Sequence, residues 1–143
     1  MVNKMISIFK PKKIKDLYPK GLKIFTFNAG FKTKDKDLLL IIFDRIIDVC
    51  CVYSKTSTPS APIIWDKKNN KGKVKCLIVN SGNANAFTGK DGIKIIDNYV
   101  NFLCKIINCK KSEILVSSTG VIGEIFNPEM ITQQILKLRY KKT

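Results

Sequence analysis

The sequence has 143 residues, 45% of them hydrophobic and 9% aromatic, which excludes a disordered chain and allows one domain with a real core. Lysine and arginine number 26 against 11 acidic residues, a formal net charge of +15, yet Arg45 and Arg139 are the only arginines and the lysines run scattered from Lys4 to Lys142. Dispersed lysine without arginine forks argues for a solvated surface over a specific nucleic-acid reader, and the absence of histidine excludes Ser-His-Asp and Cys-His catalysis and the His-bearing zinc sites.

Residues 1–20, rich in lysine and carrying Pro11 and Pro19, read as a basic N-terminal arm without structure of its own. Met5 to Phe9 is too short for the apolar region of a signal peptide, and Leu38 to Phe43, the longest apolar run, is far short of a membrane span. Residues 21–143 read as the N-terminal part of one domain, itself incomplete. Gly21 to Phe27 predicts a first strand ended by Asn28-Ala29-Gly30. Leu38–Phe43 and Ile46–Tyr53, parted by Asp44-Arg45, predict the two strands of a buried hairpin.

Ser54 to Pro62 reads as a loop whose end starts a short helix through Trp65, with Ser60 as cap and Pro62 in the first turn. After a polar loop from Lys67 to Gly72 comes a strand, Val74–Val79, broken by the asparagine-rich segment Asn80 to Ala86. A helix from about Asp91 to Asn108 carries Ile93, Ile96, Val100, Leu103 and Ile107 on one face, widened by Tyr99, Phe102 and Ile106. Ile114–Val116 is the next strand, followed by Ser117-Ser118-Thr119-Gly120. A last helix starts near Pro128 and keeps Ile131, Ile135 and Leu138 together. Strands followed by helix, strand, helix predict an α/β or α+β sandwich.

Cys50, Cys51, Cys76, Cys104 and Cys109 are odd in number and include no Cys-x-x-Cys pair, so they indicate neither a disulfide framework nor a metal site. Most lie in apolar runs as small hydrophobes, which fits a reduced, cytoplasmic chain. Two strands, Val74–Gly82 and Ile114–Gly120, end alike in small polar residues and a glycine. Such ends can hold an anion or a developing oxyanion on backbone N–H groups. Neither matches a phosphate-binding or dinucleotide fingerprint.

The segment Asn80-Ser81-Gly82-Asn83-Ala84-Asn85-Ala86-Phe87-Thr88-Gly89 with Gly92, and Ser118-Thr119-Gly120-Val121-Ile122-Gly123, resemble two motifs of the ornithine acetyltransferase family. Ala29-Gly30-Phe31-Lys32 with Lys36 to Ile41, and Ser60-Ala61-Pro62, are similar to two more, in the family's order. The resemblance covers residues 15–138. It implies acetyl transfer from N2-acetylornithine to glutamate in arginine biosynthesis, with acetyl-CoA left open as a second donor and no cofactor. It also implies an oxyanion hole at Thr119 and Gly120, and Asn80, Ser81, Gly82 and Asn83 as a candidate active-site loop.

The family's nucleophile is a threonine exposed when the precursor cleaves itself in a Lys-Ala-Thr-Gly-like segment, and its own α-amine can activate it without a histidine. No such run occurs in this sequence, which closes on Lys142-Thr143. The resemblance therefore implies the N-terminal part of an α chain, partnered by a β chain bearing the threonine, in an α2β2 hetero-tetramer acting on small amino acids. No metal, nucleic acid or membrane is implied. Two other readings stay open: a non-catalytic remnant of a broken gene, and a basic nucleic-acid-binding module.

Overall fold

The protein is described here by a computed structural model covering residues 19–138. The arm assigned to residues 1–20 thus lies almost wholly outside the described residues, as do Arg139 and Lys142-Thr143. Four strands form one sheet in the order β1 (Leu22–Phe27), β2 (Leu38–Asp48), β3 (Lys73–Asn83), β4 (Ile114–Val121). The first three pair antiparallel, and β4 runs parallel to β3. A parallel neighbour requires a crossover. Helix α2 (Gly89–Ile107) supplies it, with α1 (Ala61–Asn69) between β2 and β3 and α3 (Glu129–Leu136) after β4.

Alternation along the strands puts Phe27, Leu38, Leu40, Cys76, Ile78, Ile114 and Val116 on the face that joins the three helices in one core. Trp65 of α1, Ile96, Val100 and Leu103 of α2, and Ile131 and Ile135 of α3 close over it, each at most 1% exposed. Each such side chain contributes roughly 1.5–3 kcal/mol by leaving water. On the opposite face Leu39, Ile41, Leu77, Val79 and Leu115 are only half-buried, and Ile24 is 52% exposed. The predicted mixed architecture is the one observed, a sheet with helices layered on one face.

The predicted hairpin at Leu38–Tyr53 does not form. Leu38–Asp48 is a single strand, and residues 49 to 59 hold no regular element. A two-residue hairpin needs positive φ at its turn, which Asp44-Arg45 does not favour. The extra residues are absorbed instead as a bulge, where the register against β3 slips between Ile42 opposite Cys76 and Ile47 opposite Val74. Backbone N–H of Asp44 donates to the Gly21 carbonyl, and the Lys75 ammonium donates to the Asp44 carbonyl, tying both sides of that bulge.

Helix α1 runs past Trp65 into the expected Lys67–Gly72 loop, as far as Asn69. Ser60 occupies its cap position but makes no side-chain cap bond. In α2 the buried stripe is Ile95, Ile96, Tyr99, Val100, Leu103 and Ile106, while Ile93 and Ile107 fall at its half-buried edges. Asn108 ends α2 in the left-handed conformation, φ 53°, donating its N–H to the Cys104 carbonyl. The five cysteines are free. Cys104 and Cys109 nevertheless meet at 3.8 Å, and the Cys109 thiol donates to Cys104, lowering its pKa.

Candidate functional site

The site sits where the parallel strands β3 and β4 end together. Both strands run further than their apolar residues predict. Pairing continues through Asn80 opposite Ser118, Ser81 opposite Thr119 and Gly82 opposite Gly120. The asparagine-rich run therefore begins inside β3, and the candidate loop Asn80 to Asn83 is its last turn of strand, not a loop. Asn80, Asn83 and Ser118 help to hold these weak strand formers in register, because their side chains bond across the strand ends.

Those bonds form a continuous set. The Asn80 amide donates to the Asn83 carbonyl at 2.8 Å, while its oxygen accepts the Ser118 hydroxyl at 2.6 Å. The Asn83 oxygen accepts the Asn85 N–H, and its amide donates to the Glu124 carbonyl at 2.9 Å. Asn85 donates to the Gly92 carbonyl and accepts the Thr88 hydroxyl. Its own carbonyl receives the N–H of Ala61, which fastens the start of α1 to the same segment. Asn80, Asn83 and Asn85 are 2%, 4% and 1% exposed. Buried amides of this kind are costly unless paired, and these are paired.

Two glycines set how closely the strands approach. Gly120 has φ +133°, and a Cβ there would lie 2.3 Å from the Gly82 carbonyl carbon and 2.6 Å from the Asn83 nitrogen. Gly82 has φ +110°, and its Cβ would lie 2.7 Å from Cβ of Phe31. Phe31 in turn meets Phe126 edge to face at 5.0 Å. Both positions demand glycine by conformation and by space.

Thr119 and Gly120 are exposed. Among the described residues the Thr119 hydroxyl has no hydrogen-bond partner, and because α3 begins at Glu129, Thr119 caps no helix. Val121, Ile122 and Ile125 are exposed just beyond it, 49%, 69% and 56%. Phe87, after the buried asparagines, is held at φ 59° with 84% exposure, an unusual state for a bulky residue.

Alongside β4 lies an open cleft of about 360 Å³ whose lining includes Tyr53, Ser60, Asp66, Leu115, Ser117 and Ser118. Asp66 accepts the Val116 N–H at 3.1 Å, covering the outer edge of the sheet. Burial pushes its carboxyl up to about 7, against the lowering effect of that hydrogen bond. No residue spacing in the sequence marks Asp66, or the pairing of Ser118 with Asn80. Among the described residues no cluster of His, Cys, Asp and Glu has the make-up of a metal site, and no helix is long and apolar enough to cross a membrane.

Comparison with known proteins adds three findings. The sequence model of the ArgJ family matches residues 23–143. The arginine biosynthesis bifunctional protein ArgJ of Bradyrhizobium diazoefficiens is 41% identical over 122 residues, spanning 83% of this chain and 30% of that protein. Its counterpart in Bartonella henselae gives the same figures. This chain thus spans about 30% of the length of these curated relatives. Among solved structures, the ArgJ protein of Bacillus halodurans superposes with a TM-score of 0.76 at 32% identity, covering 81% of this chain and 62% of that one. The ornithine acetyltransferase of Mycobacterium tuberculosis, solved with ornithine, gives 0.78 at 22% identity over 86% of this chain and 68% of that one, a likeness of fold.

Proposed function

The chain belongs to the ArgJ family, and from that premise we propose that it supplies the oxyanion hole of an acetyltransferase of arginine biosynthesis. The reaction is transfer of an acetyl group from N2-acetylornithine to glutamate, giving ornithine and N-acetylglutamate, with acetyl-CoA as a second candidate donor. As the acetyl carbonyl is attacked, its oxygen gathers negative charge. The Thr119 hydroxyl and the Gly120 N–H donate to that oxygen, and donors fixed in advance cost nothing to reorganise at that moment.

The observation that carries this reading is the state of Thr119: exposed, with an uncommitted hydroxyl, between Ser118 and Val121, which are both hydrogen-bonded to the end of β3. The attacking group in this proposal is a threonine outside residues 1–143, on a β chain that assembles with this one as an α2β2 hetero-tetramer in the cytoplasm. Its own amine takes the proton, consistent with a sequence that holds no histidine.

The test joins residues 1–143 to the remaining length of the Bradyrhizobium relative and follows ornithine release from N2-acetylornithine and glutamate. Residues 1–143 alone should release none, and the joined enzyme should be active. In it, Thr119→Ala should lower kcat by about 10²–10³ with the fold intact, the usual effect of deleting one oxyanion donor. Full activity in Thr119→Ala would remove Thr119 from the mechanism.

A further inference from the structure

We propose that Asn80 and Ser118 are positioning residues, which aim Thr119 and Gly120 without touching substrate; the inference rests on the oxyanion reading above.

Thr119-Gly120 is clamped on both sides. Before it, the Ser118 hydroxyl is held by Asn80 at 2.6 Å, and Asn80 is held by the Asn83 carbonyl at 2.8 Å. After it, the Val121 carbonyl accepts the Ala84 N–H at 2.8 Å, the Gly123 N–H donates to the Ala86 carbonyl, and the Asn83 amide reaches the Glu124 carbonyl. Between the clamps Gly120 packs flat on Gly82. The fixed direction of the Asn80 amide follows from its partners: the Asn83 carbonyl can only accept, so nitrogen faces it and oxygen is left for Ser118.

Alternation finishes the argument. Asn80 and Ser118 lie on the helix-covered face, Ser81 and Thr119 on the other. Asn80, 2% exposed with both ends of its amide engaged, has nothing left to offer a ligand. Its effect on chemistry passes through the backbone of Ser118 to the next residue. A misplacement of catalytic groups by a fraction of an ångström reduces the rate of the chemical step more than it weakens binding.

The experiment is a double-mutant cycle in the complete joined enzyme, reading kcat and KM separately. Ser118→Ala should lower kcat by about ten- to a hundred-fold with KM within about twofold, and Ser118→Thr, which keeps the hydroxyl, should restore it. In a Thr119→Ala background the Ser118→Ala loss should shrink to about threefold or less, because the donor it aims is gone. Asn80→Asp supplies a second route: its buried carboxyl, once protonated, can again donate to the Asn83 carbonyl, so activity relative to the unsubstituted enzyme should recover on acidification. An equal Ser118→Ala loss in both backgrounds, or a rise in KM with kcat unchanged, would overturn the positioning role alone. An unaffected kcat in Thr119→Ala would overturn the oxyanion reading and this inference with it.

Discussion

The ends of β3 and β4 lie side by side and are written in similar small polar residues, yet they are held in opposite ways. At the end of β3 Asn80, Asn83 and Asn85 are buried, and their amides are spent on the protein's own backbone, on Ser118 or on Thr88. At the end of β4 Thr119 and Gly120 are exposed, and the Thr119 hydroxyl is uncommitted among the described residues. One strand end is scaffold and the other is the surface that the scaffold presents. The lesson is that likeness of sequence between two turns does not imply likeness of role. A polar residue acts on a ligand only when its bonding capacity has not been used up inside.

The largest expected effect breaks the contact on which both ends depend. Gly120→Ala puts a Cβ against Gly82 and Asn83 backbone that cannot move aside, at a φ that side chains disfavour. It should cost about 3–5 kcal/mol of stability, combining strained backbone with overpacking. The check is the denaturant midpoint of the chain at unchanged slope. A loss under about 1 kcal/mol would mean the strands part easily there, and the two ends are less coupled than their register implies.

Next comes Asn85→Ala, which strikes the scaffold without touching the presented end. The buried bond to the Gly92 carbonyl disappears, Thr88 loses its acceptor, and a residue at φ 45° loses a side chain that tolerates it. The expected cost is about 2–4 kcal/mol. A thermal melt against the unsubstituted chain decides it, and an unchanged Tm would show that the asparagines are not the structural end.

Asp66 sharpens the comparison at the buried start of β4. Its carboxyl is held at about 7 in the fold, above its ordinary value of 3.8. A carboxyl raised by folding favours the folded state in its protonated form. The contribution is therefore complete below about pH 4 and is lost as pH climbs through about 7, at most roughly 4 kcal/mol in all. Asp66→Asn, which keeps an acceptor for the Val116 N–H, should flatten stability across that window. The same slope surviving in the variant would place its origin elsewhere.

How much of this the sequence foretold depends on which forces dominate each region. Periodicity located α2 and α3, because burial of Ile96, Leu103, Ile131 and Ile135 is what shapes them. It misjudged Leu38–Tyr53, where a bulge tied by Gly21 and Lys75 keeps one strand running past Asp44. Residues distant in the chain decide such a feature. It also stopped β3 and β4 too early, since Asn80, Gly82 and Gly120 are poor strand formers whose pairing is enforced by contacts between the strands. Thr119 and Gly120 were named from a motif. That Asn80 faces inward follows from alternation only once the strand is known to continue, and Asn83 is buried out of phase with it because the register slips at Gly82.

The smallest expected effect is also the most discriminating control. Ser117 lies on the same face of β4 as Thr119, two residues earlier, exposed, and its hydroxyl has no partner among the described residues. By exposure and chemistry it resembles Thr119 more than any other residue of the strand does. It differs in position, opposite Val79 in the body of the sheet and not at the glycine contact. If function comes from the clamped end of β4, Ser117→Ala should shift stability by no more than about 0.5 kcal/mol, as exposed substitutions usually do. In the joined enzyme its kcat should stay within about twofold, since each tenfold change in rate requires about 1.4 kcal/mol of transition-state stabilisation and no interaction of that size is lost. A fall in kcat rivalling that of Thr119→Ala would mean that substrate lies along the whole exposed edge of β4, and the contrast would then run between the two faces of the strand.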